Sequence, residues 1–77
     1  MSMEFQTKLD TIDDAVVLVN KLEHYNCVAD AWIGEQVMDA RVLMGLVGIC
    51  MGKPVRIVVH TELGESEKSD LYSLMKV

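Results

Sequence analysis

The sequence predicts a small α/β domain whose elements follow one another in the order β-α-β-β-α-β-α. Two kinds of apolar spacing alternate along the chain: a period of two, typical of strands, and a helical period near 3.6. Glycine and proline stand at several of the boundaries between them. The chain has 77 residues, of which 51% are hydrophobic. A chain of this length builds one core, so residues 1–77 are expected to form a single domain.

The first two elements are a strand and a helix. Apolar and polar residues alternate from Glu4 to Leu9, as in a strand with one buried face. From Thr11 the spacing becomes helical, and Thr11 with Asp14 three residues later resembles a capping box. The residues expected on the buried face of this first helix are Ile12, Ala15, Val16, Val19 and Leu22.

Two further strands are expected to be joined by a tight turn. Alternation over residues 26–33 predicts the second strand and turns Cys27 toward the core. The same alternation puts Trp32 on the sheet face away from the helices. Gly34 and Glu35 permit a reversal into a third strand over residues 36–40. Trp32 is either a contact for a partner or a residue packed across the sheet.

The second helix, predicted over residues 41–51, has no polar side chain between Arg41 and Lys53. A helix on a small sheet buries only one stripe, and Leu46, Ile49 and Cys50 are expected to form it. Part of the remaining apolar surface must then face water, which often marks a protein contact. The residues expected to bind a protein are Leu43, Met44, Val47 and Met51.

The last two elements are a strand and a helix. Val55, Ile57 and Val59 alternate with more polar residues and should point inward. Ser66 is a candidate cap for the final helix. The inward-facing residues of that helix are predicted to be Leu71, Leu74 and Met75. Solvent-facing residues alternate with buried ones along the strands, which indicates a sheet covered by helices on one side only.

Composition argues against several classes of partner. The net charge of −5, with seven scattered Lys and Arg, disfavours nucleic acid and anionic membranes, both of which need clustered cations. The longest uncharged apolar run, residues 42–52, is about half a membrane span. The N-terminus lacks the pattern of an export signal. The two cysteines form no disulfide framework, and a cytoplasmic location is expected.

No cofactor, metal or catalytic residue set is predicted. His24, Cys27, Cys50 and His60 are residue types that bind zinc, but only the His24-x-x-Cys27 pair is close in sequence. Core thiols and surface histidines explain these four residues better. We therefore expect a protein that is not an enzyme.

The segment Met38-Asp39-Ala40-Arg41-Val42-Leu43-Met44-Gly45-Leu46-Val47, followed by Gly52-Lys53 and a strand over residues 55–59, resembles HPr. HPr is the histidine-containing phosphocarrier of the bacterial sugar phosphotransferase system, and its segment reads roughly V-N-x-K-S-I-M-G-L. The resemblance covers nearly the whole chain. It implies a four-stranded antiparallel sheet with three helices on one face, and a cytoplasmic bacterial protein.

The chain departs from the family at both of the family's phosphorylation sites. Thr11 stands at the phosphohistidine position, and Asp13 and Asp14 replace the arginine and proline that follow it. Val42 stands at the position of the regulatory serine. The resemblance thus implies a divergent member that has lost both the nucleophile and its cationic partner.

The resemblance implies that this chain keeps the family's docking surface. Partners of the family meet the apolar patch on the second helix together with the start of the first helix, and Leu43, Met44 and Val47 occupy that patch here. The leading expectation is a regulatory or protein-binding module. One alternative is a phosphocarrier that uses a non-standard residue. Another is a small homo-oligomeric structural protein, such as a homodimer joined through Trp32.

Overall fold

The computed structural model describes residues 3–76, which form a four-stranded antiparallel sheet with helices against one face. The strands are β1 (Met3–Lys8), β2 (Ala29–Ile33), β3 (Gln36–Asp39) and β4 (Pro54–Val59), in the spatial order β1-β4-β2-β3. The helices are α1 (Ile12–His24), α2 (Leu43–Gly45) and α3 (Glu65–Tyr72), and α2 continues directly into a π-helical segment (Leu46–Cys50). The predicted order of elements is confirmed. Within residues 3–76, no helix is long and apolar enough to cross a membrane.

The core lies between the sheet and the helices. Side chains of β1 and β4 alternate between buried and exposed, so that Phe5 and Ile57 point inward while their neighbours face water. Burying such a side chain contributes roughly 1.5–3 kcal/mol. The predicted inward residues of β4, which are Val55, Ile57 and Val59, are all fully buried.

Helix α1 begins as predicted, but its buried stripe differs from the expected one. Ala15, Leu18, Val19 and Leu22 are buried, and Val16 is only half-buried. Ile12 is 59% exposed, which corrects its assignment to the core. It is the first helical residue and belongs to a turn that lies outside the core, beside exposed Thr11 and Asp13.

Strand β2 begins at Ala29 rather than at residue 26 because the preceding residues complete the end of α1. Asn26 adopts a left-handed backbone conformation with φ of 53°, which Asn tolerates better than most residues. This conformation lets the Cys27 amide donate to the Leu22 carbonyl at 2.8 Å. Cys27 is nevertheless fully buried, as the alternation predicts.

The second helix is not the regular α-helix that residues 41–51 predict. It starts at Leu43 and widens into a π-helical segment from Leu46. Leu46 and Cys50 are fully buried as expected, but Ile49 is 44% exposed. The wider turn, with hydrogen bonds reaching five residues back, rotates Ile49 away from the stripe that it would share with Leu46 in an α-helix.

Helix α3 starts two residues earlier than predicted. Gly64, not Ser66, is the N-cap, and its amide donates to the Glu67 carboxylate at 2.9 Å. Leu71 is fully buried and Leu74 packs partly against the core. Met75 is 53% exposed instead of inward, because the helix ends at Tyr72 and Met75 lies beyond it.

An ionic contact attaches α3 to α1. Lys21 Nζ lies 2.7 Å from Asp70 Oδ1, and the Tyr25 hydroxyl donates to the other carboxylate oxygen of Asp70. The Lys21 and Tyr25 hydrogen bonds lower the pKa of Asp70, while the Asp70 hydrogen bond raises the pKa of Tyr25. This contact therefore favours the charged carboxylate in the folded state.

The Asp70→Asn variant should have a lower free energy of unfolding at neutral pH. The native pKa of Asp70 lies below the ordinary value of 3.8, so its stabilising effect is complete above that value and is lost as pH falls through the native pKa. The variant should therefore lose less stability than the parent below about pH 5. Urea unfolding over a pH series measures this, with Glu35→Gln in the β2–β3 turn as control. Parallel pH curves for Asp70→Asn and the parent would contradict it.

Native Cys27 and Cys50 should react slowly with a thiol-specific reagent. Both are buried, and burial raises the pKa of each thiol, which reduces the reactive thiolate fraction. Both thiols should react promptly once urea unfolds the chain. A Val28→Cys variant, with a cysteine at an exposed position, supplies a fast reference. If the native thiols reacted as fast as this reference cysteine, Cys27 and Cys50 would not be buried.

Candidate functional site

The second-helix surface is defined here as Leu43, Met44, Val47 and Met51. Leu43, Val47 and Met51 are half-buried and pack against the edge of the core. Met44 is 79% exposed. The predicted residues thus comprise one free side chain and three that are partly covered. Val42 and Ile49 add exposed apolar area along the same segment. Helical periodicity could not reveal Ile49 because the π-helical turn determines its exposure.

Gly45 permits the close packing of this segment over β3. A methyl group on Gly45 would overlap the end of the Met38 side chain. Met38 Sδ in turn lies 3.5 Å from the buried Cys50 thiol. A side chain at Gly45 would therefore require the flexible end of Met38 to shift.

The second-helix surface ends beside the start of α1. The Gly52 amide donates to the Leu9 carbonyl at 2.8 Å, and Met51 pairs with Leu9 in an isolated bridge. Leu9 is two residues before the Thr11 cap. The structure therefore brings Met51 close to the beginning of α1.

The start of α1 is a complete capping box. Thr11 Oγ1 accepts the Asp14 amide at 3.2 Å, while Asp14 Oδ2 accepts the amides of Thr11 and Asp10 at 3.1 and 3.0 Å. These backbone hydrogen bonds, from Thr11 first, lower the pKa of Asp14. A protein carboxylate thus occupies a helix terminus that attracts anions in general. Asp13 is exposed beside it.

Lys76 is a residue of this region that sequence reasoning missed. Its Nζ lies 3.3 Å from Asp14 Oδ2 and 3.8 Å from Asp10 Oδ2. Its amide donates to the Gln6 carbonyl at 2.9 Å, which holds the C-terminal segment against β1. No local pattern in the sequence indicates a contact across 62 positions. The cation beside the start of α1 thus comes from the other end of the chain.

Trp32 lies on the open face of the sheet and is half-buried. The Arg56 guanidinium lies 5.6 Å from the centre of its ring, within the range of a cation–π interaction. Arg56 is its neighbour on β4 and Val37 its neighbour on β3. Val58 and Val28 are not its register partners, because Val58 lies on β4 opposite Asp30 and Val28 precedes β2.

The four candidate zinc ligands do not form a site. Cys27 and Cys50 are buried, whereas His24 and His60 are exposed. His60 Nε2 instead lies 2.8 Å from Asp30 Oδ2 on the open face. No group of three or more His, Cys, Asp or Glu within residues 3–76 is arranged to hold a metal ion.

Two solved structures share this arrangement of strands and helices. The crystal structure of the phosphocarrier protein HPr from Bacillus anthracis str. Ames matches with a TM-score of 0.68 and 12% identity, over 97% of this chain and 98% of that one. The crystal structure of HPr-C-His from Thermoanaerobacter tengcongensis matches with a TM-score of 0.71 and 15% identity, over 97% of this chain and 90% of that one. No family model and no curated protein matches the sequence. The chain therefore has the HPr-like fold that the resemblance implies.

The Thr11→Ala variant should lose about 1 kcal/mol of unfolding free energy, the usual effect of removing an N-cap side chain. Thr11→Ser keeps a hydroxyl that can accept the Asp14 amide, so it should retain most of the stability. Urea unfolding of the two variants measures the difference. Equal stabilities for the alanine and serine variants would show that the Thr11 hydroxyl does not cap α1.

Proposed function

We propose that this HPr-like domain is a regulatory or protein-binding module that docks onto another protein through the second-helix surface. In the same proposal it is not a histidine phosphocarrier. The single observation that carries it is the 79% exposure of Met44 on a segment without polar side chains. Flexible, polarisable methionine is well suited to adaptable protein contacts, and an exposed apolar patch often marks an interaction site.

The arrangement of the second helix supports this proposal. Leu43 and Val47 pack against the core and so hold the segment in place, while Met44 projects into solvent. A partner that covers Met44 and the neighbouring Val42 and Ile49 would remove apolar area from water at about 25 cal/mol per Å². Little ordering of the docking segment is then needed at binding, because core packing has already fixed it.

The start of α1 supports the loss of phosphate transfer. A threonine hydroxyl is a weak nucleophile without an adjacent base, and Thr11 Oγ1 already accepts the Asp14 amide. The Asp14 carboxylate accepts the Asp10 and Thr11 amides, which fixes it beside Thr11. A phosphoryl group brought to Thr11 would therefore approach a charged carboxylate.

Affinity capture from extracts of the source cells tests the docking surface. The parent should retain a partner that the Met44→Asp variant loses, because the aspartate places a charge in the apolar contact. Met75→Asp is the matched control, since Met75 is also an exposed methionine but lies beyond α3. Circular dichroism should show both variants folded. A partner retained by Met44→Asp, or lost equally by Met75→Asp, would contradict the proposal.

Incubation with the phosphotransferase relay and labelled phosphoenolpyruvate tests the second part. The parent should acquire no stoichiometric label, whereas a histidine phosphocarrier run in parallel should. Stoichiometric labelling of the parent would favour the alternative of a carrier with a non-standard residue. Loss of that label in Thr11→Val would identify the acceptor as Thr11.

A further inference from the structure

The two outer edges of the sheet differ in their protection. In antiparallel sheets, alternate residues of an edge strand direct their amide and carbonyl groups outward. On β1 the outward residues include Gln6, whose carbonyl accepts the Lys76 amide at 2.9 Å. The Thr7 hydroxyl also donates to the Leu74 carbonyl at 2.7 Å. The C-terminal segment therefore covers the β1 edge.

The β3 edge has no such cover from residues 3–76 at Val37. The Ala40 amide bonds the Ala29 carbonyl at 2.9 Å, and the register pairs Ala31 with Met38. Even-numbered residues of β3 therefore bond β2, and the amide and carbonyl of Val37 point outward. Asp39 also points outward, but its carbonyl accepts the Val42 amide at 3.3 Å. A backbone amide and carbonyl that both point outward without a partner at a sheet edge form a template for a further strand.

A groove lined by five apolar residues and Gln36 lies directly beside this edge. It has a volume of about 220 Å³ and opens on the helix side of the sheet, where Met38 points. A strand added along β3 alternates its side chains between the two faces. The residue opposite Val37 would point to the open face, and its two neighbours would point toward the groove. The residues that line the groove are Ala31, Ile33, Gln36, Val37, Met38 and Ile49.

The acidic residues beside the β3 edge indicate whether the added strand is a second copy of this chain or a peptide of another protein. A second copy paired antiparallel at Val37 would set Glu35 of each chain opposite Asp39 of the other, and a pairing centred on Asp39 would oppose that residue to itself. Like charges directly opposite one another destabilise strand pairs. Arg41 Nε lies 3.6 Å from Asp39 Oδ1 and partly offsets the charge of Asp39, but not that of Glu35. Glu35, and Asp39 to a smaller extent, thus favour a basic residue opposite them in the added strand.

We propose that the β3 edge binds an extended peptide segment of another protein, in which apolar residues flank the position opposite Val37 and a Lys or Arg stands at each end. Backbone hydrogen bonds to Val37 give the affinity, and the groove beside Ile49 gives the specificity. This is strand addition to an exposed sheet edge. Ile49 lines this groove and also adjoins the second-helix surface of the proposed function, but Val37 and Met44 each belong to only one of the two contacts. Val37→Pro and Met44→Asp therefore test the two proposals separately.

The probe is the synthetic peptide acetyl-Thr-Lys-Leu-Thr-Leu-Lys-Thr-amide, titrated into the full chain by heteronuclear NMR. We expect saturable shifts at Val37, Met38 and Ile49, and slower exchange of the Val37 amide. A peptide N-methylated at the central threonine loses the donor to the Val37 carbonyl. It should bind about tenfold more weakly, the effect of one hydrogen bond. A peptide with Glu in place of both Lys should also bind more weakly.

Variants of the chain test the same contact from the other side. Val37→Pro removes the outward amide without removing a β2–β3 hydrogen bond, and should weaken binding about tenfold. Val37→Ala keeps the amide and is the matched control. The N-methylated peptide makes the result independent of whether Val37→Pro folds. The proposal would be overturned if millimolar peptide caused no saturable shifts, or if the N-methylated peptide bound as tightly as the parent peptide. It would also be overturned if the chain formed a dimer without peptide and Val37→Pro converted that dimer to monomer.

Discussion

Strand β4 is buried on one face by Val55, Ile57 and Val59 and pairs with β1 on one side and β2 on the other. β3 joins the sheet through β2. The helices must cover the inward side chains of β4, since the transfer of that apolar surface from water is the main term that offsets chain entropy in so small a domain. The second helix closes one part of this cover through Leu46 and Cys50. Of its remaining apolar residues, Val42, Met44 and Ile49 are exposed while Leu43, Val47 and Met51 are only partly covered. The candidate surface is therefore a consequence of how the core is closed.

Strand positions were predictable because a sheet with one wet face repeats every two residues, and β1 and β4 follow that period without interruption. The Thr11 cap was predictable because its partner Asp14 is three residues away. Two of the departures arise where backbone geometry leaves the regular period. Asn26 closes α1 with a positive φ, and the π-helical turn exposes Ile49.

The candidate surfaces were predictable to different extents. The absence of polar residues from 42 to 52 pointed to excess apolar area, but only the structure shows that Met44, at 79%, is the most exposed large apolar side chain of this segment. The contact of Lys76 with Asp14 depends on where the C-terminal segment crosses β1. Likewise, the difference between the two sheet edges depends on strand order. Such long-range relations are set by topology, which no local window of sequence contains.

The central claim is that the second-helix surface, which consists of Leu43, Met44, Val47 and Met51, meets a partner. Chemical-shift mapping of the isotopically labelled chain in complex with the captured partner tests it most directly. The account predicts the largest backbone and methyl shifts at Met44, Val47 and Ile49, with smaller ones at residues 9–12, next to Met51. Shifts confined to Trp32, Arg56 and their neighbours on the open sheet face would contradict it and assign the contact to the opposite side of the molecule.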